Sequence, residues 1–403
     1  MTEFGNYKFM TKKFDIAIIG GSFAGMSAAL ALSQISPDLK IAIIEKTNIK
    51  IYDRKCDGRG YAISSKSLSF FKEVGIFDET TKDSGTIQDI KITDYKSPFF
   101  LDFLAKDTDE EKFGALIESY VVHNCLRDRL LKQENVKLFC PNSYEEIEFE
   151  GGGKLSKVKL DDGEEISCDL LLACDGRFSK IREKFDLETK VKKYGQTAIV
   201  FNIEHKRRHE NIAWEKFLPG GPLAILPLKN QNQSSIVWIS PDSISKEILK
   251  LSKMEFKEQL EKKMEKCLGD VKIISENYSY PLIMVEAKKF YHENMLLVGD
   301  AACGVHPIAG QGFNLALESI VILRDLVKES FLSGLGVNSN ILIERYNKRA
   351  KFNCKKMVIA TDLLNSLFET KLKTISVARD IGLGAVNKIN ILKKFFIKNA
   401  GGF

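Results

Sequence analysis

The sequence predicts an α/β protein: a parallel sheet flanked by helices, an inserted and mostly antiparallel second sheet, and a helical C-terminus. Three observations carry this. Strand-like apolar runs alternate with helical patterns along most of the chain, which favours parallel strands joined by crossover helices. Three of those runs, Ile41–Ile44, Leu170–Cys174 and Met295–Val298, lead directly or within two residues into a carboxylate (Glu45, Asp175 and Asp300), and the C-terminal edge of a parallel sheet is where ligands bind. Residues 194–240 have a different texture, with Gln196–Ile203, Leu223–Leu228 and Ser235–Ser240 reading as antiparallel strands. The resulting division is 14–80, 110–185 and 281–335 for the nucleotide-binding unit, 81–109 and 186–280 for the inserted sheet, and 336–403 for the helical segment.

Composition narrows the class. A chain of 403 residues has room for two or three domains, and 44% apolar with 28% charged residues is ordinary globular content. A disordered tail, a collagen-like fibre and a multi-span membrane protein are excluded. The net charge of +6 is too mild to imply nucleic acid, but it is unevenly spread. Residues 341–403 hold thirteen Lys/Arg and four Asp/Glu, a balance of +9, which leaves −3 for the first 340. Eight scattered cysteines without a CxxC pair, and only five histidines, give no zinc spacing and no metal site. The thiols are expected to be reduced and mostly structural, as in a cytoplasmic protein. The uncharged stretch Ile16–Pro37 imitates a signal peptide, yet its glycine cluster reads as strand, turn and helix.

The elements follow in order. Phe14–Ile19 is a continuous apolar run, as in a strand buried on both faces. Gly20-Gly21-Ser22-Phe23-Ala24-Gly25 then fits G-x-G-x-x-G with Ser22 at the second glycine, and a helix continues through Met26–Gln34. Such a turn lets a pyrophosphate approach backbone amides at a helix N-terminus, where the dipole favours an anion. Glu45, twenty residues after Gly25, stands where a carboxylate accepts ribose hydroxyls. Gly151–Gly153 reads as a hairpin turn. Asp175-Gly176 after a strand serves either as a turn or as part of a phosphate site, with Ser179 able to cap a helix and Arg182 able to pair with phosphate or with Asp175. In Gly299–Asn314 a strand ends at Asp300, a loop turns at His306-Pro307, and a helix begins near Gly310-Gln311-Gly312. Its glycines allow close approach to a flat ligand, and its helix start suits an electron-rich ring. His306 reads as a packed loop histidine, and no residue is assigned as a catalytic base.

These motifs, in this order and at these distances, resemble the flavoprotein aromatic hydroxylases, single-component FAD monooxygenases with the para-hydroxybenzoate hydroxylase fold. Within them the chain is similar to the ubiquinone-biosynthesis hydroxylases. The likeness rests on Gly304–Asn314, Tyr194–Ala198, Phe217–Pro227 and Arg379–Leu383, and runs from about residue 14 onward, Ser22 departing from the usual glycine. It implies an FAD-binding Rossmann-like domain. Gly20, Ser22, Gly25 and Glu45 would hold the ADP half, with Asp175 near the pyrophosphate and Asp300 on the ribitol. Arg59 would lie near the flavin and Arg127 would make a second cofactor contact. Pro307, Gly310, Gln311, Gly312 and Asn314 would line the isoalloxazine. Gln196, Ala198, Leu223, Ile225 and Pro227 would form the substrate-ring floor. The implied reaction hydroxylates a polyprenyl phenol through a flavin hydroperoxide, with NADPH or NADH as electron donor and O2 as co-substrate. Implied partners are an anionic membrane, met peripherally on its inner, cytoplasmic face, and other ubiquinone-biosynthesis proteins. Two rival readings share the architecture: a flavin-dependent prenyl reductase and a non-enzymatic prenyl-lipid binding protein. A flavin halogenase would need a WxWxIP stretch, whereas Trp214 and Trp238 stand far apart.

Phe395, Phe396 and Ile397 sit among Lys393, Lys394 and Lys398, a mixture suited to an anionic membrane surface. Deleting residues 388–403 is therefore expected to weaken co-sedimentation with anionic liposomes; unchanged sedimentation would remove the membrane reading.

Overall fold

The computed structural model describes residues 11–53, 58–94, 100–107, 111–152, 155–306 and 310–369, with side chains as far as Asp362. Pro307, the Arg379–Leu383 motif and the basic C-terminal stretch lie outside the described residues.

The first sheet contains β1 (Lys12–Ile19), β2 (Ile41–Ile44), β8 (Val136–Phe139), β9 (Tyr144–Glu150), β10 (Leu155–Leu160), β11 (Glu165–Ala173), β18 (Tyr291–His292) and β19 (Met295–Leu297), in the order β18-β19-β11-β1-β2-β8 with the β9–β10 hairpin beside β11. β1 pairs in parallel on both sides, Ile16 opposite Ile41 and Leu170, and β19 continues the parallel set with Leu297 opposite Ala173. The last four residues of β1, like all of β2, are buried, as their unbroken apolar runs require. Helix α1 (Phe23–Ser33) is buried over nine consecutive residues from Gly25, so the stretch that imitates a signal peptide is a strand, a glycine turn and a core helix.

A three-stranded sheet, β3 (Gly60–Ser64), β4 (Gly85–Ile87) and β7 (Gly114–Glu118), is flanked by α2 (Ser65–Val74), α3 (Phe77–Thr81) and α4 (Ser119–Leu130). It carries the second large sheet: β5 (Asp89–Asp94), β6 (Phe100–Leu104), β12 (Thr189–His205), β13 (Ile212–Leu218), β14 (Gly221–Pro227), β15 (Gln233–Pro241), β16 (Val271–Ile273), β17 (Tyr278–Ala287) and β20 (Cys303–Gly304). All its pairs are antiparallel except β13 with β5. The division expected between residues 280 and 281 runs through β17, which stays in this sheet by pairing with β12.

The two faces of the second sheet differ. Ile199, Leu223, Ile225 and Trp238 pack against Phe256 and Leu260 of α7 (Lys253–Met264), with α6 (Asp242–Ile248) alongside. On the opposite face, Ala198, Ile239 and Leu282 form one small cluster, and Ala213, Leu226 and Phe103 pack with Ala62 and Leu116 in another. This corrects the expected substrate floor. Leu223 and Ile225 belong to the helix-backed core, because strand alternation sends them to the other side from Ala224 and Leu226. Pro227 follows the same alternation as Leu223, and its carbonyl lies against Gly85.

Helices α8 (Gln311–Leu332) and α9 (Asn340–Glu369) pack together and close the first sheet; the buried Tyr346 hydroxyl donates to the Leu297 carbonyl at 2.9 Å. They also correct the expectation of reduced thiols at one pair. Cys303 and Cys354, 51 residues apart, form a disulfide between β20 and α9. Cys168 and Cys174 are free, buried and pushed well above the usual thiol range by desolvation. Among the described residues, no helix is long and apolar enough to cross a membrane.

If Ile225 is a core residue, Ile225→Ala lowers the unfolding free energy by about 2–5 kcal/mol in urea denaturation. A variant of unchanged stability with weakened ring binding would restore the floor assignment.

Candidate active site

The strand order β2-β1-β11-β19 sets Glu45, Gly20, Asp175 and Asp300 along one edge, each strand roughly 4.8 Å from the next. At its centre, Gly20 adopts φ +102°, and a Cβ there would stand 2.5 Å from the Cys174 carbonyl oxygen. A Cβ on Gly25 would stand 1.8 Å from the Gly20 carbonyl oxygen, so only glycine lets α1 pack this tightly on β1. Ser22 is the N-cap of α1 but makes no capping hydrogen bond, and it is exposed. The first amides of an eleven-residue helix are thus left without a side-chain acceptor. Glu45 Oε2 accepts from the Gly21 amide at 2.6 Å, and its Oε1 accepts from Thr47 N and Oγ1. Arg127, on α4, reaches the same end of the sheet, donating from Nε to the Ile49 carbonyl at 3.0 Å and pairing with Asp128 at 2.5 Å.

Beside β11, Asp175 Oδ2 accepts from the Ile181 amide, while the buried Oδ1 has no partner. Ser179 caps α5 (Lys180–Lys184), accepting from Arg182 N at 3.0 Å, as its position suggests. Arg182 is placed differently from either reading: it is buried and donates to the carbonyls of Ala301 and Arg177, bracing the loop from behind. Asp300 accepts at Oδ2 from Arg177 Nε and Nη2, at 3.1 and 2.9 Å, and Arg177 also donates to the Ile283 carbonyl. Sequence reasoning assigned Arg177 no role; a cation two residues after Asp175 was the available signal, but its partner lies 123 residues away.

The Gly299–Asn314 stretch packs on this edge. A Cβ on Gly299 would lie 3.2 Å from Ala24 of α1 and 3.5 Å from Ala316 of α8, so the two helix starts converge. Gly310 is the left-handed N-cap of α8 (φ +66°), with no side-chain cap, and among the described residues no atom outside the helix's own backbone approaches within 4 Å of a Cβ placed on Gly312. Gln311 is buried at the first turn. Asn314 is committed to the scaffold: its Oδ1 accepts from Ser64 N and its Nδ2 donates to the Ala62 carbonyl, tying α8 to β3. Arg59, at the mouth of β3, lies over the rings of Tyr61 and Tyr280, 5.8 and 5.6 Å from their centroids. Two uncapped helix starts, an unpartnered Asp175 oxygen and the space beside Gly312 among the described residues fit FAD.

Known proteins agree with this geometry. Residues 13–360 match the FAD binding domain family. The ubiquinone hydroxylase UbiL of Rhodospirillum rubrum is 31% identical over 392 residues, which cover 97% of this chain and 90% of the relative. The chain belongs to the FAD-dependent ubiquinone-biosynthesis hydroxylases. The 3-demethoxyubiquinol 3-hydroxylase of Escherichia coli is 26% identical, with 96% of this chain and 98% of the relative covered. The crystal structure of p-nitrophenol 4-monooxygenase PnpA from Pseudomonas putida shares the fold at TM-score 0.74 and 15% identity, covering 97% of this chain and 99% of that one.

The face of the second sheet that carries Gln196 and Ala198 lies opposite the α7 core. Gln196 Oε1 lies 3.3 Å from His306 Nε2, which joins that sheet to the flavin loop. Ala198 sits with Ile239 and Leu282. Ala224, Leu226, Val237 and Glu215 share the face, and sequence reasoning missed them: a period of two was legible, but its phase was not. His306 is fully buried, edge-on to Tyr194 at 4.5 Å, and Tyr194 donates to Asp362 of α9 at 2.7 Å. Burial lowers the His306 pKa to about 4, so the ring is neutral at physiological pH, in keeping with a packed loop histidine.

The folded pKa of His306 lies below its unfolded value. Its contribution to stability is therefore complete above pH 6.5 and is lost as pH falls from there to about 4. A shift of this size is equivalent to about 3 kcal/mol. In His306→Gln, the fall in unfolding free energy between pH 7 and 4 is expected to shrink by up to that amount; an unchanged pH dependence would contradict the assignment.

Proposed function

We propose that this protein uses FAD to hydroxylate the aromatic ring of a polyprenyl phenol in ubiquinone biosynthesis. The observation that carries the proposal is the arrangement of two surfaces: an uncapped helix start with open space at Gly312, and the largely apolar sheet face of Ala198, Ala224 and Ile239, joined by the His306–Gln196 contact. An apolar floor suits a prenylated ring.

When bound, FAD supplies the redox chemistry: electrons from NADPH or NADH, and one atom of O2 delivered to the ring while the other leaves as water. The chain's own residues bind, orient and exclude water. The amides at the start of α1 and the ribose-facing Glu45 hold the ADP half, and Arg127 supports the loop after Glu45. The free oxygen of Asp175 would face the pyrophosphate. Asp300, held by Arg177, would accept from the ribitol. The α8 N-terminus, with Gly310 and Gln311, favours negative charge on the reduced ring system. Pro307 belongs to the same loop. Packing between the second and third sheets keeps water from the reacting ring. The enzyme would act peripherally at an anionic membrane, where its substrate resides, alongside other enzymes of the pathway.

The test is to purify the protein, record its flavin absorbance, and incubate it with NADPH or NADH, a short-chain prenylphenol and isotopically labelled O2. The expected product carries one labelled ring oxygen. FAD binding with a saturated prenyl double bond and no ring oxygen would favour the reductase reading. A colourless protein unable to take up FAD would favour a lipid-binding protein.

A further inference from the structure

Glu215 stands in the middle of β13, on the face of the second sheet opposite α7. Ala224 on β14 and Ile92 on β5 are its cross-strand neighbours, and Ala213 and Phe217 share its face along the strand. All four are apolar. The carboxylate makes no hydrogen bond or ion pair among the described residues. The next residue shows the contrast. Lys216 points to the helix-backed side, where it is buried but satisfied, donating to Glu265 at 2.6 Å and to the Met264 carbonyl. The fold therefore pairs its buried cation and leaves the adjacent anion unpaired. An unpaired carboxylate in apolar surroundings is costly, and it persists where something else completes it.

Space for that partner exists. Glu215 is flanked by two apolar groups on its face: Ala213 and Leu226 pack toward Ala62, while Ala198 and Ile239 pack toward Leu282. It remains partly accessible although its strand is interior to the sheet and the far side is filled by α7. The access must then come from the ring side, where Ala224 leaves room. Despite that access the site is enclosed enough for desolvation alone to raise the carboxyl pKa to about 7. Among the described residues the face offers it no neighbouring cation. The other charged groups described there are Asp94, Glu118 and Arg59, and Arg59 is held over Tyr280 on β17, four strand positions away, roughly 19 Å.

We propose that Glu215 is the substrate anchor that accepts a hydrogen bond from the phenolic hydroxyl of the ring. The inference rests on the phenol reading above. A lone carboxylate among apolar residues matches a neutral hydroxyl donor attached to an apolar ring. It also disfavours a ring carrying its own carboxylate, for which the described residues of this part of the face offer no cation.

The test uses the FAD-loaded full chain, a short-chain prenylphenol and its methyl ether, which lacks the donor. Affinities are read from the perturbation of flavin absorbance. The wild type is expected to prefer the phenol by about tenfold or more. Glu215→Leu should abolish the preference with FAD content intact, and Glu215→Ala gives the same reading if the leucine variant fails to fold. Glu215→Gln, whose amide oxygen still accepts, should restore most of the preference. Full phenol preference in the leucine or alanine variant would overturn the role of Glu215 alone. A wild type that holds FAD but binds neither probe would overturn the phenol reading and this inference together.

Discussion

β1 lies between β2 and β11, and parallel pairing on both sides forces the three strands to end at one edge. β19 extends the set in the same direction. A two-sided parallel strand needs apolar residues throughout, and the sequence supplies them in short unbroken runs. Because the strands are in register, the residues that follow them gather within a few strand spacings although they span nearly 300 positions of sequence. Gly25 holds α1 against that edge, and Gly299 brings α8 to the same place. The cofactor groove is the consequence of this pairing, and every other part of the site is positioned from it.

The second sheet depends on a different constraint, the alternation of strands. One face is filled by α7 and is ordinary core, with Trp238 and Phe256 among its largest side chains. The other carries two smaller apolar clusters, one around Ala198, Ile239 and Leu282 and one in which Ala213 and Leu226 pack with Ala62 and Leu116. Adjacent residues on β13 show the consequence: Lys216 reaches a partner on the helix side, and Glu215 on the opposite side has none among the described residues. His306 and Gln196 connect this face to the flavin loop, and Tyr194 connects it onward to α9 through Asp362. The disulfide between Cys303 and Cys354 fastens α9 to the same loop.

Much of the fold was legible because it rests on local signals. Continuous apolar runs, a glycine cluster between strand and helix, and carboxylates after strand ends are each contained within a few residues, so Gly20, Gly25, Glu45, Asp175 and Asp300 could be placed from sequence. The features that could not be read locally share another physical origin. The phase of β14, the Arg177–Asp300 pair, the commitment of Asn314 to β3 and the Cys303–Cys354 bond all depend on residues far away in the chain. Short local runs of residues were enough to set the strand ends and the helix starts at one edge of the first sheet. Which side of β13 and β14 is packed under α7 had to await the assembled fold, because an alternating strand has two equivalent faces until a helix covers one of them.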